Sequence, residues 1–259
     1  MTTPLTLPDP KPVVFERSPL SLAVCQMRFE HLGAISEELT SSLRERLAER
    51  YPLAQRLQNA EIALGPTGAQ AAAVEGRRFA SVEGDWTCSL LPDWASLETT
   101  AYSNWGEFET RLREVLVALQ EVVSPRVETR LGLRYVNELA LESIERPSDW
   151  SRYLHPVLVD DLAADLPFEA SLATRQSILQ LDAGDGAQLN FRHGIAGEAA
   201  APAQALAYIL DFDCFRQNQR LFDPETLLAT ADRFNTIITS MFQWCLTDTL
   251  WEELKPHAK

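Results

Sequence analysis

RLGLRYVNELAL, residues 130–141, alternates two chemistries along an unbroken run. Leu131, Leu133, Tyr135, Leu139 and Leu141 fall on one side of an extended chain. Arg130, Gly132, Arg134, Val136, Glu138 and Ala140 fall on the other. Successive Cβ atoms of extended backbone point to opposite sides, so a period of two predicts a strand with one face on a core. Asn137 interrupts the apolar side, and is expected to satisfy a backbone group or line a pocket. The run follows an amphipathic helix near the midpoint of the chain, as though a second structural unit begins there.

Working outward toward the N-terminus, LSLAVCQMRFE (residues 20–30) reads as a first strand. Cys25, Met27 and Phe29 lie opposite Gln26, Arg28 and Glu30. Ser36 is an N-cap candidate for a helix reaching about Tyr51, with Leu39, Leu43 and Leu47 at four-residue spacing and Pro52 closing it. Short strands are expected at 60–64, at 71–74 continuing through 78–82, at 86–90 and at 97–102, punctuated by Gly-Pro, Glu-Gly, Gly-Asp and Pro-Asp. Asn104 then caps a helix that places Trp105, Phe108, Leu112, Leu116, Leu119 and Val123 on one face and stops at Ser124-Pro125.

Toward the C-terminus, Ser148 opens a helix carrying Trp150, Tyr153 and Leu154, and strands are expected at 175–181, 188–193 and 206–212. Asp223 followed by Pro224 starts a long helix to about Leu254, with Leu227, Ala231, Phe234, Ile238, Met241 and Cys245 along a seam. Trp244 and Trp251, seven residues apart, would form a second apolar face on it. The two Gly-rich stretches read as turns. DAGDGAQ (182–188) has neither the spacing nor the Lys of a phosphate-binding loop, and Asp-Gly between strands is a hairpin signal. Gly65-Pro66-Thr67-Gly68 is the other turn.

Strand, helix, strands, helix therefore occurs twice. The expected class is α+β, with antiparallel sheets packed on long helices in a pseudo-duplicated architecture. The order resembles TATA-binding-protein-like or helix-grip topologies, and a plain single α+β domain is the alternative. The expected divisions are an extended N-terminal arm at 1–18, a first α+β half at 19–125 and a second at 126–259, the halves packed as one globular unit. Prolines 4, 8, 10 and 12 account for the arm.

Composition narrows function by exclusion. Among 259 residues, 46% are hydrophobic and 23% charged, which is ordinary for a globular chain. The net charge of −14 disfavours nonspecific nucleic-acid binding, which depends on Lys and Arg displacing counterions, and permits a cationic partner. Cys25, Cys88, Cys214 and Cys245 are scattered among apolar neighbours with no C-x-x-C pair, so buried free thiols are expected rather than zinc ligands or disulfides. The first twenty residues lack a basic region and apolar run of the signal-peptide kind, and no run approaches a membrane span. The expectation is a cytoplasmic protein away from membranes.

Three segments carry a family resemblance. They are Ser18-Pro-Leu with Val24-Cys-Gln-Met-Arg28-Phe29, then Leu131-Gly132-Leu133-Arg134-Tyr135-Val136-Asn137, then Phe242-Gln-Trp-Cys-Leu-Thr-Asp248. In that order the chain resembles a sporadically distributed bacterial and archaeal family of uncharacterised proteins of about this length. The resemblance implies a single architecture and brings no activity with it. Its sporadic spread implies a mobile locus of the defence or toxin–antitoxin type.

The candidate ligand- or partner-binding residues are Arg28, Arg134, Asn137, Arg192, Asp211 and Asp213. Arg28, Arg130, Arg134, Arg175 and Arg192 all fall in expected strands. Sharing one surface, they would bind phosphate or carboxylate; interspersed Glu30, Glu138, Asp211 and Asp213 point to a mixed, solvated face instead. Asp211 and Asp213 share a strand face, a pairing able to hold Mg²⁺ but more often simply solvated. His193, Cys214 and Asp213 are the nearest approach to a nucleophile, base and acid, supported by coexistence alone. No catalytic residue, cofactor or metal is expected. Two functions stand, with single-stranded nucleic-acid binding on the sheet, by analogy with the topology, a weaker third that the acidic balance counts against. One is a non-enzymatic protein-interaction module with a protein partner, basic in character, or a second copy of itself. The other is an enzyme handling a small anion or nucleotide in a pocket lined by Arg28, Arg134 and Arg192. Arginines clustered in a deep pocket would favour the second, and a flat acidic face the first.

Overall fold

The computed structural model describes residues 3–65, 68–162, 172, 174–196 and 206–258, with backbone alone at 59–65, 68–73 and 196. In chain order the elements are β1 (Val13–Phe15), β2 (Leu20–Phe29), α1 (Glu37–Leu47), β3 (Leu53–Gly65), β4 (Gly68–Ala80), β5 (Trp86–Leu91), β6 (Trp94–Thr99) and α2 (Trp105–Ala118). A π-helical turn (Leu119–Val123) prolongs α2. Then come β7 (Val127–Leu139), a 3-10 turn (Pro147–Arg152), α3 (Pro156–Val159), β8 (Thr174–Gly184), β9 (Ala187–Ala196), β10 (Ala207–Arg216), β11 (Arg220–Leu221), α4 (Pro224–Cys245), α5 (Asp248–Glu253) and β12 (Pro256–Ala258). The chain is thus a mixed α+β protein with a large antiparallel sheet and few helices. Two compact units divide it, and neither is one continuous stretch.

The first unit comprises 23–133 and 215–232. Its strands neighbour one another in the order β3-β4-β5-β6-β2-β7, with β11 antiparallel to β7. The alternation of β2 is realised: Cys25, Met27 and Phe29 are buried, whereas Arg28 is exposed. Leu131 and Leu133 of β7 are fully buried with Cys88, Leu97, Phe108, Leu112 and Leu116. Both expected helix caps form: Ser36 Oγ accepts from Leu39 N–H (3.1 Å) and Asn104 Oδ1 from Glu107 N–H (3.0 Å). The first helix ends at Leu47, short of the expected Tyr51. The strands expected at 60–64 and 71–74 belong to one long hairpin, β3–β4, registered from Leu53↔Ala80 to Gly65↔Gly68. Its start was hidden because LAQRLQN carries few apolar residues on an outermost strand. Pro66 and Thr67 of the expected turn lie outside the described residues.

The second unit comprises 1–22, 134–214 and 233–259. Its strands are ordered β7-β10-β9-β8, and β1 pairs antiparallel with β12. Phe191 and Phe212 stack at 4.6 Å beneath the sheet, and Trp150, Tyr208, Phe234 and Ile238 are fully buried. The segment opened at Ser148 is a 3-10 turn rather than an α-helix. It is tied by Asp149 Oδ2, which accepts from Arg146 N–H (2.9 Å) and Glu145 N–H (3.0 Å).

The long helix expected from Pro224 to Leu254 is two helices. α4 stops at Cys245, and Thr247 opens α5 by accepting from Leu250 N–H while its hydroxyl donates to Arg152 O (2.9 Å). The helical period alone could not register that interruption, because tertiary bonding of Thr247 creates it. Trp244 and Trp251 consequently do not share a helix face. Trp244 stacks on His155 (4.4 Å), and Trp251 meets Phe15 edge-on (5.1 Å) with Lys11 over its ring (4.6 Å). The segment before β2 carries β1 and is hydrogen-bonded within the second unit. Lys11 N–H donates to Gln243 Oε1 (2.8 Å), and Leu5 N–H to Asp182 O (2.7 Å).

Candidate functional site

Of the candidate residues, Arg134, Arg192, Asp211 and Asp213 fall on the side of the second unit's sheet that faces away from its core. Adjacent strands β7, β10 and β9 place the residues there. Arg134 grips Asp211 with both prongs of its guanidinium, Nε to Oδ1 at 2.8 Å and Nη2 to Oδ2 at 2.9 Å. The Asp211 hydrogen bonds hold the Arg134 proton more tightly than usual, raising its pKa, with Asp213 contributing in the same direction. Arg192 Nη1 stands 3.7 Å from Asp211 Oδ2. Asp211 is largely covered at 10% side-chain exposure, whereas Arg134 and Arg192 are 43% and 42% exposed. Two arginines and two carboxylates thus make a near-neutral surface, not an anion pocket. Asn137 lies on the opposite, buried side and donates from Nδ2 to Leu210 O (3.2 Å), so it satisfies a backbone carbonyl.

The other strand arginines have partners of their own. In the first unit Arg28 Nη1 lies 3.7 Å from Asp93 Oδ2. Arg130 covers the Phe215 ring (4.8 Å) and reaches Gln26 Oε1 (3.3 Å). Arg175 belongs to a different group in the second unit. It pairs through two nitrogens with Asp161 (3.0 and 2.9 Å) and approaches His193 Nδ1 (3.2 Å). His193 Nδ1 also lies 2.7 Å from the Tyr208 hydroxyl, which donates to Leu158 O (3.0 Å). Burial, with the Arg175 cation assisting, pushes His193 down to about 4, so it is neutral at pH 7. Burial pushes the Cys214 thiol up to about 12. The partners of His193 are therefore Tyr208 and Arg175, and the grouping of His193 with Cys214 and Asp213 does not form a catalytic relay. All four cysteines are free and buried.

Two features escaped the sequence. Arg216 and Glu128 form an ion pair in the first unit with side chains only 3% and 1% exposed. Arg216 continues the buried alternation Tyr208, Leu210, Phe212, Cys214 in β10, and that alternation was the available signal. The second is a cleft of about 420 Å³ whose wall includes Trp86. Arg50 and Arg111 meet Glu49, Glu83, Asp85 and Glu107 there. Arg111 is held by Glu107 (2.9 Å) above the Trp86 ring (4.2 Å), and Arg50 by Glu114 (2.7 Å). Both cations are occupied and the wall carries more carboxylates than arginines, so a small anion is not favoured. Only the Glu107–Arg111 pair has a local helical spacing; the segment after α1, the β4–β5 connection and α2 supply the rest from separate stretches of chain.

Among the described residues no three of His, Cys, Asp and Glu converge as metal ligands would, and no helix is long and apolar enough to cross a membrane. No protein-family model matches the chain, and no curated protein matches it.

Proposed function

We propose that this chain is a non-enzymatic interaction protein that docks a cationic protein through exposed, mixed-charge sheet surface. One observation carries the reading. Arg134 and Arg192 stand half-exposed on an outward sheet face, both directed at the largely covered Asp211. A net charge of −14 adds long-range attraction for a basic partner. The reading extends to membership of the sporadic family that the LGLRYVN segment resembles, and to a mobile defence or toxin–antitoxin type locus in the cytoplasm.

The proposal includes internal duplication of the TATA-binding-protein-like kind. Its support is an ordered correspondence. β2 is followed by α1, by antiparallel strands and by α2; β7 is followed by α3, by β8, β9 and β10, and by α4. Strand neighbours run β2, β6, β5, β4 in one unit and β7, β10, β9, β8 in the other, so in each run the first strand in sequence, β2 or β7, is flanked by the last, β6 or β10.

The test is purification of the tagged chain from its native host, with and without nuclease, at low and high salt. A stoichiometric, nuclease-resistant protein partner is expected, released by high salt and lost when Asp213→Lys and Glu138→Lys are combined. A chain that emerges alone, or holding only a small anion, would overturn the reading.

A further inference from the structure

We infer that the outer edge of β8 is a self-pairing site through which two copies of this chain form an antiparallel dimer. β8 pairs with β9 along one edge and ends its unit's strand order. The direction of its other edge is set by a single bond. Leu5 N–H donates to Asp182 O, so the Asp182 carbonyl points away from β9. The N–H and C=O of one strand residue point to the same edge, and the direction alternates along the chain. Gln180, Ile178 and Gln176 therefore also aim their backbone groups outward. Among the described residues no hydrogen bond is recorded to those groups. Ile178 is 65% exposed and Leu179 38%.

Edge strands are ordinarily blunted by charge, proline or a covering segment. QSILQL, residues 176–181, has neither charge nor proline, and among the described residues the arm's one backbone hydrogen bond to this strand is at Asp182. Two copies at −14 repel each other, and residues 176–181 bring no carboxylate to the pairing. A basic partner, by contrast, would find no carboxylate to pair with on 176–181.

The run is also self-complementary. A twofold axis at Ile178 sets Ile178 against its own copy and Gln176 against Gln180 of the second chain. On the face carrying Ile178, apolar meets apolar and amide meets amide. The outward residues then form hydrogen-bonded pairs that exchange roughly six N–H···O=C bonds. The inference is independent of the cationic partner proposed above: failure of the co-purification leaves it standing, and a strictly monomeric chain leaves that proposal standing.

The experiment is sedimentation equilibrium of the full chain over a concentration series. Wild type is expected to pass from monomer to dimer. Ile178→Lys and Ile178→Glu should each weaken the dimer at least about tenfold, since like charges then face across the axis, and an equimolar mixture of the two should regain it. Ile178→Pro removes only an outward N–H and spares the β8–β9 ladder, so it should remain folded by circular dichroism and stay monomeric. Wild type that stays monomeric at every concentration, or a dimer indifferent to Ile178→Lys, would overturn the inference.

Discussion

The Glu128–Arg216 pair permits a stringent double-mutant cycle. Their side chains are 1% and 3% exposed, and three of their polar atoms, Glu128 Oε2 and Arg216 Nε and Nη1, have no hydrogen-bond partner among the described residues. Burial raises the Glu128 pKa more than the Arg216 and Arg220 cations lower it, and burial likewise lowers that of Arg216. Two ions have thus been taken out of water with incomplete compensation. Replacing Glu128 by Leu leaves a guanidinium buried without its carboxylate, and should cost about 3–5 kcal/mol. At about 2–4 °C per kcal/mol for a chain of this size class, the melting temperature should fall by about 6–20 °C. Replacing both residues, Glu128→Leu with Arg216→Met, removes both desolvation penalties and should restore wild-type stability within about 1 kcal/mol or exceed it. Arg216→Met alone should be less damaging at pH 5 than at pH 8. A carboxyl whose folded pKa lies above its unfolded value contributes stability below the unfolded value, and that stability is lost as pH rises through the folded one. The assay is urea unfolding of the four proteins at pH 5 and pH 8. Additive single-variant losses, with the double variant as unstable as their sum, would refute the argument that desolvation dominates this pair.

Adjacent residues of β7 should behave very differently. Leu133→Ala is expected to cost about 2–5 kcal/mol, because it opens a cavity at a fully buried site, whereas Arg134→Ala should cost about 1 kcal/mol or less; urea midpoints separate the two. His193 should make the fold acid-sensitive. Its folded pKa near 4 lies below the ordinary 6.5, so the unfolded chain takes the proton first. Stability then declines as pH falls from about 6.5 toward 4, and His193→Gln should flatten that part of the stability–pH curve. Gly194→Ala should cost about 2–4 kcal/mol and disturb the β8–β9 pairing seen by amide exchange. Its φ is +152°, and an added Cβ would sit 1.8 Å from Arg175 O.

Much of the candidate surface was legible because strand geometry is local. Arg134 and Asn137 were assigned to opposite faces from parity alone, and they lie there, one half-exposed and one buried. That Arg134 and Asp211 meet required knowing that β7 and β10 are neighbours, and a separation of 77 residues carries no such signal. Arg175 shows the reverse failure. Membership of a strand put it with the other arginines, yet the Asp161 carboxylate and the Tyr208–His193 contact draw it into a separate, partly buried group.

Local residue patterns were enough for the α+β class, the helix starts at Ser36, Asn104 and Pro224, and the two-sided character of β2 and β7. Side-chain periodicity and capping act over a few residues, and the sequence displays them directly. Tertiary structure decided that Thr247 bonds Arg152 O where the last helix breaks, that Arg216 is buried against Glu128, and that β8 ends its unit's strand order. Those outcomes depend on which distant segments supply a carbonyl, a carboxylate or a neighbouring strand. Their free energies come from burial and pairing between residues that only the folded chain brings together.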